Sequence, residues 1–215
     1  MIMPDLLISE LFYSIQGESS YAGLPCIFIR LSGCNLRCKW CDTLYALSGG
    51  ETYSLEEITA FVHKHKIRLV CITGGEPLLQ SNVIHLIETL LNENYTILLE
   101  TNGTLPINQL PNKVIKVMDL KCPSSGMTEY THWKNIDYLS KKDDVKFVIG
   151  DRRDYQWAKE IVLKYGLIEQ CKVLYSPVFN ILSPELLASW MLADHLPARL
   201  QLQLHKYIWG EKKGV

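Results

Sequence analysis

Several things are missing from this sequence, and each absence narrows the function. No stretch approaches the ~18 consecutive apolar residues of a membrane-spanning helix. The opening residues, Met1 to Leu6, lack the basic region and apolar run of a secretory leader, so the chain is expected in the cytoplasm. Neither sign of charge is in excess: 22 Lys and Arg against 23 Asp and Glu leave a net charge of −1. That provides no field to collect nucleic acid or a membrane surface, and a small-molecule substrate is the expectation that remains. No internal repeat and no low-complexity segment interrupts the chain. With 47% hydrophobic and 21% charged residues in 215, one well-buried core is expected, with residues 1–215 forming a single domain.

An even cysteine count, the usual mark of a disulfide framework, is also absent. There are seven cysteines, and in a reducing compartment disulfides explain them poorly. Three of them, Cys34, Cys38 and Cys41, are clustered, which points to metal.

What is present is an alternation. Short β-branched runs at Cys26 to Leu31, Leu69 to Thr73, Thr96 to Glu100, Val114 to Leu120, Val145 to Ile149 and Lys172 to Tyr175 predict buried parallel strands. Helical patterns lie between them. Ser54 with Glu57 predicts a capping box before Leu55, Ile58, Phe61 and Val62. A second stripe runs from Asn82 to Leu91 with Asn94 as a left-handed stop, and a third from Trp157 to Tyr165 closes at Gly166. Ser183-Pro184 predicts a fourth start. Strands alternating with helices imply an α/β fold, with right-handed crossovers curling about six parallel strands into an incomplete TIM-type barrel with outer helices. A complete eight-stranded barrel typically needs ~250 residues, more than this chain has.

The segment Gly33 to Thr43 follows the first of these strands, at the end where barrel enzymes place their chemistry. The spacing of its cysteines, four residues and then three, lets one loop wrap three thiolates around one cubane, leaving one iron without a protein ligand. A structural cluster or zinc site recruits four. Cys26, Cys71 and Cys171 read as small buried hydrophobes, and Cys122, in a loop beyond Lys121, stays open as a competing fourth ligand.

The C-x3-C-x2-C pattern, with Trp40 before its last cysteine, resembles the signature of the radical S-adenosylmethionine (SAM) superfamily. Three strand ends extend the resemblance: Thr73-Gly74-Gly75-Glu76-Pro77, Glu100-Thr101-Asn102-Gly103-Thr104 and Asp119-Leu120-Lys121. It implies a four-iron four-sulfur cluster on Cys34, Cys38 and Cys41. It also implies SAM bound by Trp40, Asp42, Gly75, Glu76, Asp119, Leu120 and Lys121. On the residues alone, a tight turn into a helix stands as the alternative reading of the Gly-Gly segment.

Leu11 to Glu18, Ala22 to Pro25, Phe28 to Leu31, Cys41-Asp42-Thr43, Lys121 to Gly126 and Leu204-His205-Lys206 together resemble the 7-carboxy-7-deazaguanine synthase family over nearly the whole chain. The resemblance implies conversion of 6-carboxy-5,6,7,8-tetrahydropterin to 7-carboxy-7-deazaguanine with loss of ammonia, on the way to queuosine and other 7-deazapurines. It implies that SAM yields a 5′-deoxyadenosyl radical that abstracts hydrogen from the carbon bearing the carboxylate, and that SAM is regenerated. Ile15, Gln16, Gly17, Glu18, Arg30, Thr73 and His205 would contact the substrate, and Thr43 a magnesium ion. A small pterin substrate, an electron donor such as flavodoxin, and a homodimer are implied as partners.

Blander readings stand beside these: a β-turn at Ile15 to Gly17, an ion pair at Arg30, a helix cap at Thr43, an exposed histidine at the end of a last strand for His205. Where some relatives end, this chain continues from Lys206 to Val215, so no contact from a chain terminus is carried over. Glu211, Lys212 and Lys213 are expected to fray. Two other functions fit the cysteine loop: an activase that installs a glycyl radical on a partner protein, and a non-catalytic zinc or iron-sulfur module closed by Cys122.

Overall fold

The structure, a computed structural model, describes residues 5–210 and 212–215; the readings made of Met1 to Pro4 and of Glu211 lie outside them. All six expected strands form and are consecutive neighbours in one sheet: β2 (Pro25–Leu31), β4 (Leu69–Gly74), β5 (Thr96–Thr101), β6 (Ile115–Leu120), β7 (Asp144–Ile149) and β8 (Lys172–Pro177). Each pairs with the next in parallel. Three further strands lay outside the sequence expectation. The long β1 (Asp5–Ile15) and the short β3 (Glu51–Ser54) add antiparallel pairs at one edge, and β9 (Arg199–Leu200) adds a two-residue parallel pair at the other. The order β3-β1-β2-β4-β5-β6-β7-β8-β9 does not close on itself, so the barrel is incomplete, as expected.

The helices start and stop where local chemistry dictates. At α1 (Leu55–His63), Ser54 Oγ accepts from Glu57 N at 3.2 Å while Glu57 Oε2 accepts from Ser54 N at 2.8 Å, the reciprocal box the sequence predicts. After α2 (Val83–Asn92) the chain turns at Asn94 with φ 63°. α3 (Arg152–Tyr165) is capped by Asp151 and ends at Gly166, φ 60°, from which α4 (Leu167–Gln170) leaves. α5 (Pro184–Ala193) begins at the expected Ser-Pro pair, although the Ser183 side chain makes no cap bond. A short α6 (Leu204–Trp209) follows. No helix of the described residues is long and apolar enough to cross a membrane.

Strand alternation divides the sheet into two faces. The outer face packs under the helices through residues such as Ile27, Ile29, Val70, Ile97, Val145 and Phe147. The inner face changes character along its length. Near the strands' N-terminal ends, Phe28, Cys71, Leu98 and Ile115 lie in register and form a second, apolar cluster with Cys26 and Leu69. Burying each large side chain there contributes roughly 1.5–3 kcal/mol. Two residues further along the strands, the inward positions become Arg30, Thr73, Glu100 and Val117, followed by Asp119 and Lys146. One face thus carries an apolar floor and a polar rim.

Candidate active site

A cavity of about 670 Å³ opens on that rim. Every expected site residue except Glu76 and Leu120 borders it. The cysteine loop leaves β2 at its C-terminal end and crosses the cavity mouth. It is pinned by Gly33 N to Ala46 O at 2.8 Å and closed on itself by Cys41 N to Cys38 O at 3.3 Å. Leu36 N donates to Cys34 Sγ at 3.4 Å and Asn102 Nδ2 approaches the same sulfur at 3.9 Å. A Cβ on Gly75 would strike the Gly33 carbonyl and lie 2.7 Å from Cys34 Cβ, which is why a glycine backs this loop.

All seven cysteines are free thiols. Cys34, Cys38 and Cys41 are partly exposed on the cavity, while Cys26, Cys71, Cys122 and Cys171 are buried. Cys122 is 1% exposed and packs with the main core at the cavity's edge; burial pushes its thiol far up. Burial pushes the Cys38 thiol up, with the Lys121 ammonium beside it opposing that shift, and three accessible thiols on one loop fit a cluster held at three of its irons.

The Glu76 side chain does not line the cavity. It is wholly buried, and its carboxylate accepts from Thr101 Oγ1 at 2.9 Å, Asn102 N at 2.6 Å and Leu78 N at 3.1 Å. Burial pushes its pKa up against these bonds. The side chain staples the Gly-Gly loop to the end of β5, and Gly74 and Gly75 are what face the cavity. The Leu120 side chain does not line the cavity either: strand alternation turns it into the core, between the inward-facing Asp119 and Lys121.

Around the rim runs a chain of polar contacts. Lys121 pairs with Asp119 at 3.0 Å, Asp119 with Lys146 at 3.3 Å, and Lys146 with Glu18 at 2.7 Å. Gln203 Nε2 donates to Glu18 at 2.9 Å and to Asp42 at 3.0 Å, and Lys206 meets Asp42 at 3.3 Å. Burial alone would push Glu18 and Asp119 up. Lys146 beside the first, and Lys121 with Lys146 beside the second, hold both below the usual carboxylate range. At Asp42, burial is outweighed by Lys206 and Gln203, with the same net direction.

Arg30 Nε donates to Glu10 Oε2 at 2.9 Å, and the Tyr45 hydroxyl donates to the same oxygen at 2.9 Å. This pair uses one of five guanidinium donors and fixes the fork's orientation. The Thr43 hydroxyl donates to Asp42 Oδ1 at 3.0 Å and makes no cap bond to the turn at Leu44–Ala46, so the helix-cap reading is not what this side chain does. Thr73 Oγ1 donates to Glu100 at 2.8 Å. Gln16 is buried, its backbone paired with Gly23 and Leu24, and its Oε1 accepts from Glu18 N at 3.1 Å; the segment is a turn as well as a cavity wall.

His205 is not at a strand end. It lies in the first turn of α6, because β9 stops at Leu200 and Leu204 N then docks on Gly17 O at 2.9 Å. A Cβ at Gly17 would run into the His205 ring. Lys212 and Lys213, read in the sequence as part of a frayed tail, lie exposed at the cavity mouth. Both border the cavity, with Lys213 Nζ 4.2 Å from the centre of the Tyr45 ring. The sequence reading had missed Glu10, Tyr45, Lys146 and Gln203. Only Lys146 carried a signal, as a charge in an otherwise apolar buried strand.

Comparison with known proteins agrees with this geometry. Residues 28–123 match the model of the radical SAM superfamily. A 7-carboxy-7-deazaguanine synthase from Chlorobaculum tepidum is 44% identical, covering 98% of this chain and 97% of its own. One from Koribacter versatilis is 45% identical, covering 97% and 99%. The crystal structure of QueE from Escherichia coli, 23% identical, superposes with a TM-score of 0.77 over 94% of this chain and 95% of that one, and shows the same fold. Cysteine loop, strand-end rim and near full-length identity agree: the chain belongs to the 7-carboxy-7-deazaguanine synthase family of the radical SAM superfamily.

Proposed function

We infer that this protein is a lyase that converts 6-carboxy-5,6,7,8-tetrahydropterin to 7-carboxy-7-deazaguanine with loss of ammonia, in queuosine biosynthesis. The observation that carries the reading is the 44% identity to a synthase of that name across 98% of the chain. The cavity supports it, because a thiol loop and groups suited to a pterin carboxylate share one wall. When bound at Cys34, Cys38 and Cys41, the cluster supplies the electron that cleaves SAM to methionine and the hydrogen-abstracting 5′-deoxyadenosyl radical. The remaining work belongs to the chain. Arg30, pre-oriented by Glu10, offers its free donors to the substrate carboxylate. Ile15, Gln16, Gly17 and Glu18 line the side where the pyrimidine edge would lie, with Thr73 and His205 beside them. Trp40, Asp42, Gly75, Asp119 and Lys121 border the SAM side. Phe28 of the floor and Val117 at the rim give the cavity an apolar wall that would keep water from the reacting carbon.

Magnesium would rest on the Thr43 hydroxyl together with substrate and water oxygens, a hard-donor set that suits it. Thr43 brings a single hydroxyl to that ion, so substrate and water oxygens would make up the rest of its shell. The reading further takes residues 1–215 as one domain working in the cytoplasm as a homodimer, with a flavodoxin-like protein as electron donor. The free thiols suit a reducing compartment. The test is anaerobic incubation of the reduced holoenzyme with SAM, magnesium and the pterin, followed by mass detection. The deazaguanine product is expected. 5′-Deoxyadenosine alone would keep the radical chemistry and reject the substrate, and neither product would reject the reading.

A further inference from the structure

Lys146 is a cation that the family resemblance does not use and that the fold has placed with care. It sits on β7 in direct register with Asp119 on β6, and alternation aims it into the cavity between Val145 and Phe147, which face the core. Its side chain is 13% exposed. Burying an ammonium costs several kcal/mol unless carboxylates repay it. The carboxylates present are Glu18 at 2.7 Å and Asp119 at 3.3 Å, with Glu100 further off. The contact with Glu18 joins residues 128 positions apart and is the charged link between the Ile15–Glu18 turn and the sheet.

We propose that Lys146 is a positioning residue for pterin recognition: it holds Glu18 in one rotamer, so that the carboxylate accepts from the paired N–H donors of a 2-amino-4-oxopyrimidine edge. This rests on the substrate reading above. The chemistry is complementary. A pterin presents a ring N–H and an exocyclic amine side by side, and a carboxylate accepts two such donors at once. Lys146 takes one Glu18 oxygen and Gln203 the other, which leaves each oxygen of this cavity-lining carboxylate a further lone pair. Without the ammonium, Glu18 would keep only Gln203 as a donor against burial and the Asp42 charge, which favour its protonated form, the wrong partner for a donor pair.

The test is a double-mutant cycle on the anaerobic holoenzyme with SAM present. It reads the Kd of 6-carboxypterin, the stable oxidised form of the substrate, by calorimetry, and the KM of the reduced substrate by turnover. Lys146→Gln and Glu18→Gln should each weaken the pterin by on the order of 30-fold. The double variant should bind no more weakly than Glu18→Gln alone. Lys146→Arg, which keeps the charge, should recover most of the affinity. Multiplying effects in the double variant, or an unchanged Kd in Lys146→Gln, would overturn the proposal. If Lys146→Gln does not retain the cluster, the comparison of the double variant with Glu18→Gln decides: equal affinity supports, and a further tenfold loss overturns. The two readings separate cleanly. Wild-type binding of 6-carboxypterin without turnover removes the activity and leaves Lys146 its role, turnover with an additive cycle removes only the role, and no binding by wild type removes both.

Discussion

The two ends of the sheet's inner face use some of the same residue types for opposite purposes. On the floor, Cys26 and Cys71 are 0% exposed and behave as small hydrophobes. On the rim, three cysteines of one loop stand open to the cavity. Glutamate divides in the same way around the rim. Glu76 turns away from the cavity, is satisfied by neutral donors and has its pKa pushed up by burial. Glu18 faces the cavity, is paired with an ammonium and is held low. Depth and partners, not residue type or motif membership, decide which group is free to meet a ligand.

The largest break in this comparison comes from the rim cysteines. Cys34→Ala, Cys38→Ala and Cys41→Ala should each abolish cluster assembly and turnover while the chain stays folded, measured as iron content, visible absorption and circular dichroism. Cluster retention in any of the three would move a ligand to Cys122. Next is Glu76→Ala, which leaves the Thr101, Asn102 and Leu78 donors buried and unpaired and should cost about 3 kcal/mol in denaturant unfolding. A loss of activity without that loss of stability would return Glu76 to the cavity. Cys71→Ala, on the floor, should cost only about 1 kcal/mol and keep its full iron complement. The smallest effect concerns pH. The folded pKa of Glu18 is depressed, so its stabilisation is complete above the ordinary carboxylate value of about 4 and disappears as pH falls through the folded value. The wild-type advantage over Glu18→Gln in urea midpoint should be present at neutrality and vanish in acid. A gap that persists in acid would mean that Lys146 is not what sustains it.

Much of this was legible in the sequence. The six parallel strands are legible as short, mostly apolar β-branched runs, and α1 and α3 carry their caps in the chain. The cysteine loop and the strand-end motifs name the rim. What escaped depended on direction and on distance along the chain. β1 was hidden because its second half is the Leu11–Ile15 stretch, which read as motif, and β3 is only four residues long. A motif letter does not say which way a side chain turns, and those of Glu76 and Leu120 turn behind the cavity wall. The closure of the rim by Gln203, Lys206 and Lys213 joins residues more than 150 positions apart, and no local pattern announces such contacts.

The most direct test of the central claim follows one hydrogen atom. The holoenzyme is given substrate deuterated at the carbon that bears the carboxylate, and the SAM pool is examined by mass spectrometry after turnover. If the rim presents that carbon to the 5′ position of SAM, deuterium should appear in SAM and leave the substrate. Product formed with no deuterium in SAM or in 5′-deoxyadenosine would contradict the account.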